Sequence, residues 1–492
     1  MTIIMVGVFL VLLVIFAIVA LRDTAKGRHS IIRKIASVLL KLVILAMAVI
    51  GLRNTIRGSG LTGGPAAGGA GESVAVSDPD FHRSIELLTG TALSKGNTVQ
   101  ILKNGEETYP ALWADLRGAQ ASIALQPYFY EPGVLADTLE SILVERARAG
   151  VAVFVLVDAF GAEAMPEERL DVLRNAGVEV AVFRPLHWYN INTANTRSHV
   201  RVVAIDGKIG YTGGFGIADQ WLGNGRETGQ WRDTNVRFTG PAVSELLAAF
   251  VVGWAEATGK LMTAGGAAAI VAPEASEDSV VERSVAAGPA GASAATVTDV
   301  ADSTDDTRTL DAAGLMHTIP TLGNTAATRF YTLTLGGARE RLFISNAYFV
   351  PGDYLMRLLV DAAKGGVDVI VLTAGESTDI GFTRFAAHAR YERLLAAGVR
   401  VFEYQPTMMH AKSIVVDGRW ASIGTMNFDN RSLTFNNESN FVALDPVFGA
   451  EVEAIFRDDL TRAKEITAAE FAKRPWWNRP MEWIAGFFAP ML

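Results

Sequence analysis

Two of the seven histidines in this 492-residue chain open the same short pattern. His199 is followed by Arg201 and Asp206, then by Gly213-Gly-Phe-Gly216. His410 is followed by Lys412 and Asp417, then by Gly424-Thr-Met-Asn427. A neutral imidazole can attack phosphorus and can also carry a proton near neutral pH. A cation beside it neutralises phosphate oxygens as charge builds in the transition state. In extended chain, positions i and i+2 face the same side. Each His and its cation are therefore expected to share one pocket, while Val200 and Ala411 point into the core. With two copies, one His can attack and become a phosphohistidine. The other can protonate the leaving alcohol and deprotonate the incoming one, a contribution of about 10² to 10⁴ in rate. Asp206 and Asp417 are candidates to orient a His or a cation. Each precedes a glycine (Gly207, Gly418), so a hairpin turn is the equal alternative.

The elements that must position these residues also come twice. ASIALQPYFY (121–130) parallels RLFISNAYFV (341–350), and AGVAVFVLVD (149–158) parallels GGVDVIVLT (365–373). AGVEVAVFRP (176–185) parallels AGVRVFEYQP (397–406), and HVRVVAIDG (199–207) parallels HAKSIVVDG (410–418). Four blocks in one order mean two fused units rather than a solenoid. Within each, apolar helical stretches such as 138–149 end at glycine and lead into β-branched runs such as 151–157. That rhythm predicts α/β units with parallel strand pairs. Packed face to face, the halves would bring equivalent residues to a pseudo-twofold axis.

The bulk composition narrows the function. Net charge is −8, which gives no global sign of nucleic-acid binding, so an anionic substrate would be met by local cations. With no cysteine, disulfides, thiolate metal sites and a cysteine nucleophile are excluded. Residues 3–21 are uncharged and almost wholly apolar. At about 1.5 Å per residue they nearly span a bilayer core of about 30 Å. A basic loop follows, then a second apolar run (35–52) broken only by Lys41, whose ammonium can snorkel back. A two-helix membrane hairpin is expected over 1–57. The basic loop favours the cytoplasm, which would place the large C-terminal part outside it. Residues 58–75 read as a flexible tether and 262–307 as a low-complexity insert. The end, PWWNRPMEWIAGFFAPML (475–492), is aromatic, poor in charge and too short to span. It reads as an interfacial helix or, equally, as packing onto the core or against the membrane anchor. His187, near the first pattern but without a counterpart, is expected at a rim or in packing.

These residues resemble the phospholipase D superfamily, whose halves each carry His-x-Lys-x4-Asp. WRDTNVR (231–237), GPAV (240–243), NAYFVP (346–351), EYQP (403–406), NFDNRS (427–432) and Asn437-Glu438 resemble its cardiolipin synthase branch. The resemblance runs over about 99–463, outside the insert. It implies two fused, pseudo-twofold-related α/β/α domains after the membrane anchor: 76–261 and 308–468, with an aromatic tail at 469–492. It implies catalysis by His199, Arg201, Asp206, His410, Lys412 and Asp417, with Asn346, Thr425, Asn427 and Glu438 in the substrate pocket. It implies no cofactor and no metal. The implied partners are phospholipids, phosphatidylglycerol first among them, and the bilayer of a bacterial inner membrane, without nucleic acid. The implied reaction transfers phosphatidyl from one phosphatidylglycerol to another and releases glycerol. Hydrolysis to phosphatidic acid, head-group exchange, or a weakly catalytic lipid-binding role are the alternatives. Arg201 stands where the family has Lys, Gly216 where it often has Asn, and Thr425 where Ser is commoner. The first half is therefore the divergent one, and which His attacks stays open.

Overall fold

A computed structural model of the chain describes residues 73–185, 196–260, 308–319 and 326–491. The expected membrane hairpin, most of the tether, His187 and the insert lie outside the described residues. Among the described residues no helix is long and apolar enough to cross a membrane.

In chain order the elements are α1 Pro79–Thr89, β1 Thr98–Lys103, α2 Asn104–Gly118, β2 Ser122–Gln126, α3 Val134–Arg148, β3 Ala152–Asp158, α4 Glu167–Asn175 and β4 Glu179–Phe183. Then come β5 Val202–Ile205, β6 Ile209–Gly213, β7 Trp231–Arg232, β8 Thr234–Thr239 and α5 Ala242–Thr258. The second half has β9 Arg308–Thr309, β10 Ala313–Thr318, α6 Ala326–Gly336, β11 Arg341–Asn346, α7 Asp353–Lys364, β12 Asp368–Ala374, α8 Gly381–Ala396 and β13 Arg400–Tyr404. It continues with β14 Met408–Met409, β15 Lys412–Val416, β16 Trp420–Gly424, α9 Asn430–Thr434, β17 Glu438–Leu444, α10 Pro446–Leu460, β18 Ala463–Ile466, α11 Ala468–Ala472 and α12 Asn478–Phe488.

These strands build two eight-stranded sheets, β4-β3-β2-β5-β6-β8-β1-β9 and β18-β13-β12-β11-β15-β16-β17-β10. From β4 to β1 the first order matches the second from β13 to β10, strand for strand. The β2–β3–β4 and β11–β12–β13 pairings are parallel. The pairings toward β5 and β15 are antiparallel. Both faces of each sheet are covered, so the central strands β2 and β15 are buried at every position.

Outer helices close one face of each sheet. Leu112 and Leu116 of α2 and Leu139, Ile142 and Leu143 of α3 pack on Val153, Val155 and Val203. Leu355 and Leu359 of α7 and Tyr391 of α8 pack on Val369, Val371 and Ile414. The inner faces share one core with α5 and α10, in which Phe238 meets Phe441 at 4.9 Å between ring centres. The described residues up to Pro490 therefore fall in one compact unit rather than two separable domains.

Two boundaries shift accordingly. Residues 76–89, expected with the first half, pack on the second, where Phe81 meets Trp420 edge-on at 5.3 Å. β9, expected with the second half, extends the first sheet by pairing with β1.

Candidate active site

The two histidine patterns come together where the halves exchange backbone hydrogen bonds. Ser198 and Asn437 form a parallel bridge, and the His199 N–H donates to the Asn437 carbonyl at 2.9 Å. β14 pairs parallel with β7, and the His410 N–H donates to the Arg232 carbonyl at 2.7 Å. Each His thus precedes the first residues of β5 or β15 and is fixed by the opposite half.

The acids come across the same seam. His199 Nδ1 lies 2.8 Å from Glu438 Oε2, and His410 Nδ1 lies 2.7 Å from Asp233 Oδ2. Each carboxylate faces a ring nitrogen, so Nδ1 carries the proton and Nε2 keeps its lone pair. That lone pair faces the cation two residues on. Arg201 Nη1 is 3.2 Å from His199 Nε2, and Lys412 Nζ is 2.7 Å from His410 Nε2. The expected i, i+2 sharing of a pocket is what these contacts describe. Tyr128 stands edge-on to His199 at 4.6 Å and Tyr348 edge-on to His410 at 6.4 Å. Trp221 and Trp231 crowd His410 further, at 5.3 and 4.9 Å.

Burial and charge set the protonation states. Burial, only partly opposed by Glu438, lowers His199 to about 4. Burial and the Lys412 ammonium lower His410 to about 3. Both imidazoles are neutral at pH 7. Burial also brings Lys412 down to about 7 and lowers Arg201 from its usual value. Burial alone would raise the Asp233 carboxyl, but His410 and Lys412 hold it well below the usual carboxylate range. Arg201 is felt by His410, and Lys412 by His199, so the two cations act on one electrostatic site.

Other expected residues support the rings or lie elsewhere. Glu438, expected to meet substrate, holds His199. It also accepts from the Thr425 hydroxyl, from the Ser432 hydroxyl at 2.7 Å and from the Asn436 side-chain amide at 3.4 Å. Thr425 therefore positions an acid rather than a ligand. The Asn346 amide is spent on the loop that follows β16, accepting from the Phe428 N–H at 2.9 Å and donating to the Met426 carbonyl. Asn427 is buried, and its side-chain oxygen has no hydrogen-bond partner.

Asp206 and Asp417 are corrected to turn residues. The Asp206 carboxylate accepts from the backbone N–H groups of Gln120, Ala121 and Ser122. Asp417 does the same for Arg339, Glu340 and Arg341. Both sit in the left-handed region, at φ +53° and +49°, which Asp tolerates. The reason is distance. Seven residues of extended chain separate each Asp from its His, about 23 Å at 3.3 Å per residue. They pin the starts of β2 and β11 instead.

Sequence reasoning missed Asp233, although the repeat held the signal. Asp233-Thr-Asn235 and Glu438-Ser-Asn440 occupy matching places at the starts of β8 and β17, with Asp233 just before β8. Asn235 accepts from the Phe215 N–H in the loop after β6, and Asn440 accepts from the Thr425 and Met426 N–H groups in the loop after β16. The divergence of the first half also has a steric cause. A Cβ on Gly214 would lie 2.2 Å from Asp233 Oδ1, and one on Gly216 would lie 2.7 Å from the Trp221 ring. Trp221 fills that space, and its N–H donates to Asp233 at 2.9 Å. A bulky indole thus does for Asp233 what small hydroxyls do for Glu438. Arg201 is similarly accommodated, with Nε donating to the Phe215 carbonyl at 2.9 Å. Among the described residues no group of three or more His, Asp or Glu side chains is disposed to hold a metal ion.

Residues 331–460 match the family described as "Cardiolipin synthase, PLD-like domain". Cardiolipin synthase A of Pseudomonas syringae pv. syringae (strain B728a) is 32% identical over 390 residues, covering 79% of this chain and 74% of that one. Cardiolipin synthase of Staphylococcus aureus (strain Mu50 / ATCC 700699) is 30% identical over 418 residues, covering 84% and 78%. The crystal structure of phosphatidylserine synthase from Haemophilus influenzae Rd KW20 superposes with a TM-score of 0.58 at 14% identity. It covers 82% of this chain and 96% of its own, and so shares the fold. The chain belongs to the cardiolipin synthase family of the phospholipase D superfamily and is a phosphatidyltransferase.

Proposed function

We propose that this enzyme moves a phosphatidyl group from one phosphatidylglycerol to a second, releasing glycerol, through a phosphohistidine. The observation that carries the reading is the crossed pair of dyads, Glu438 on His199 and Asp233 on His410, each with a cation at the free ring nitrogen. A phosphodiester taken up by Arg201 and Lys412 would lie beside both Nε2 atoms. One Nε2 attacks phosphorus, forming N–P as the bond to the glycerol oxygen breaks. The other imidazole, protonated, gives its proton to that oxygen. The hydroxyl of the second phosphatidylglycerol then gives a proton back to the same imidazole and attacks, breaking N–P. Entry of the anionic diester offsets the two cations and raises the ring's affinity for the proton it must donate. Asp233 and Glu438 keep the tautomer and balance the imidazolium as it forms.

The donor and acceptor are tested by incubating the full chain with phosphatidylglycerol in mixed micelles. Cardiolipin and glycerol in equal amounts support the reading. Phosphatidic acid as the main product would assign hydrolysis instead.

A further inference from the structure

The C-terminal segment was expected either to lie on a bilayer or to pack on the core, and it does the second with one face only. Glu482 and Ala485 of α12 are buried against α8, and Gly486 sits so close that a Cβ would meet Ala389 at 3.2 Å. Arg474 clamps the arrangement by binding both oxygens of Glu482, at 2.8 and 2.9 Å, and Glu392 at 2.8 Å. Several large apolar side chains on the other side point outward. Trp476, Trp477 and Trp483 are 74%, 60% and 73% exposed, with Met481 and Ile484 beside them.

This face continues to the active site. Phe488, at the end of α12, meets Phe382 at the start of α8, with 6.4 Å between ring centres. Ile380, exposed just before that helix, follows Asp379, whose carboxylate accepts from the Tyr348 hydroxyl at 2.6 Å beside His410. The Pro490 carbonyl accepts from the Asn430 side chain at 2.6 Å. Two residues on, Ser432 donates to Glu438, the acid behind His199. The C-terminal end of α12 therefore lies beside the two-histidine site, and the exposed tryptophans follow back along the helix and its N-terminal lead-in. The helix is about 16 Å long for eleven residues, so the tryptophans lie within roughly that distance or a little more of the end that meets the site.

The charges agree. Of the four charged residues between 473 and 490, Arg474 and Glu482 are paired with each other, leaving Lys473 and Arg479 exposed. In a chain of net charge −8, this is a locally cationic, tryptophan-rich face. Exposed Trp beside Lys and Arg is the pattern of side chains seated at an anionic lipid headgroup layer. We infer that this face, Trp476, Trp477, Met481, Trp483 and Ile484 with Lys473 and Arg479, docks on an anionic phospholipid surface and holds the mouth of the active site against the layer that supplies its substrate. The inference rests on the reading of the substrate as a bilayer phospholipid.

The test uses the full chain and needs no turnover, so it can fail separately from the proposed reaction. The absence of cysteine lets a single fluorophore be placed at Trp483→Cys and, as a second variant, at Trp476→Cys. Val447→Cys is the reference. It is also well exposed, at 58%, but lies beside the Asp417 turn at the opposite end of β15 from His410. In vesicles of phosphatidylglycerol carrying nitroxide at the headgroup, both Trp-site labels should be quenched at least about threefold more than the Val447 label. Quenching no greater than at Val447 for both labels overturns the inference. Shielding that persists in detergent without vesicles and grows with protein concentration assigns the face to a second copy of the chain, and overturns it as well.

Discussion

Replacing Asp233 by Asn isolates the crossed dyad with almost no change in volume. Asp233 Oδ2 lies 2.7 Å from His410 Nδ1 and also accepts from the Trp221 N–H, so the position is tightly held. Two effects follow. An amide turned to donate to Nδ1 moves the ring proton to Nε2, the atom that must attack or accept; in serine-protease triads the same exchange costs about 10⁴ in rate. An amide turned the other way keeps the tautomer but no longer balances the imidazolium. Charge centres about 4 Å apart at an effective dielectric of about 20 interact by about 4 kcal/mol, or about 10³ in rate. Both routes give a loss of about 10³ to 10⁴ in kcat, read as glycerol release in mixed micelles. The thermal unfolding midpoint and near-ultraviolet circular dichroism serve as the check on folding. A folded variant within tenfold of the wild type would refute the assignment of Asp233 to His410.

Further outcomes follow from the same contacts. Glu438→Gln should lower kcat comparably, since Glu438 stands to His199 as Asp233 stands to His410; an undiminished rate would break the symmetry of the account. Arg201→Lys should lower activity by about threefold to tenfold, because an ammonium cannot serve both the Phe215 carbonyl and His199. A rise in rate would show Arg201 to be a handicap. Gly216→Asn, which copies the second half, should lower stability by about 1–3 kcal/mol by displacing the Trp221 ring; an unchanged denaturant midpoint would contradict the packing. Lys412 has a depressed folded value of about 7 against 10.5 unfolded, so the unfolded chain holds more protons between those values. The cost of burying it is full below pH 7 and fades toward pH 10.5. Lys412→Met should therefore abolish turnover yet raise the unfolding midpoint at pH 6, with a smaller gain at pH 10. An equal gain at both would oppose the shift.

The parts of the fold that recur were legible, because both copies answer to the same backbone demands. The blocks at 149–158 and 365–373 become β3 and β12, buried on both faces, and their apolar runs could read as nothing else. His199, Arg201, His410 and Lys412 were legible because two-residue spacing in extended chain puts two side chains in one pocket. The crossed acids were not, since pairing Asp233 with His410 is a property of the seam between halves and of no local window. The Asp residues of the two patterns misled for the opposite reason. Their proximity in sequence suggested contact, while an extended strand carries them to the far end of the sheet. Residues 76–89 joined the second half for a separate reason: Phe81 and Ile85 pack into the cluster around Trp420 on the outer face of its sheet, a contact no local window shows.

The central claim is that both imidazoles serve one phosphodiester, one by forming a bond to phosphorus and the other by moving protons. Alkaline quench of the full chain during turnover, followed by mass analysis of the peptides containing residues 199 and 410, reads it directly. A phosphatidyl adduct is expected on one of these histidines in the wild type, with its loss when that residue is Ala and loss of turnover in both His199→Ala and His410→Ala. Sustained turnover in both variants, with no adduct on either peptide, would contradict it.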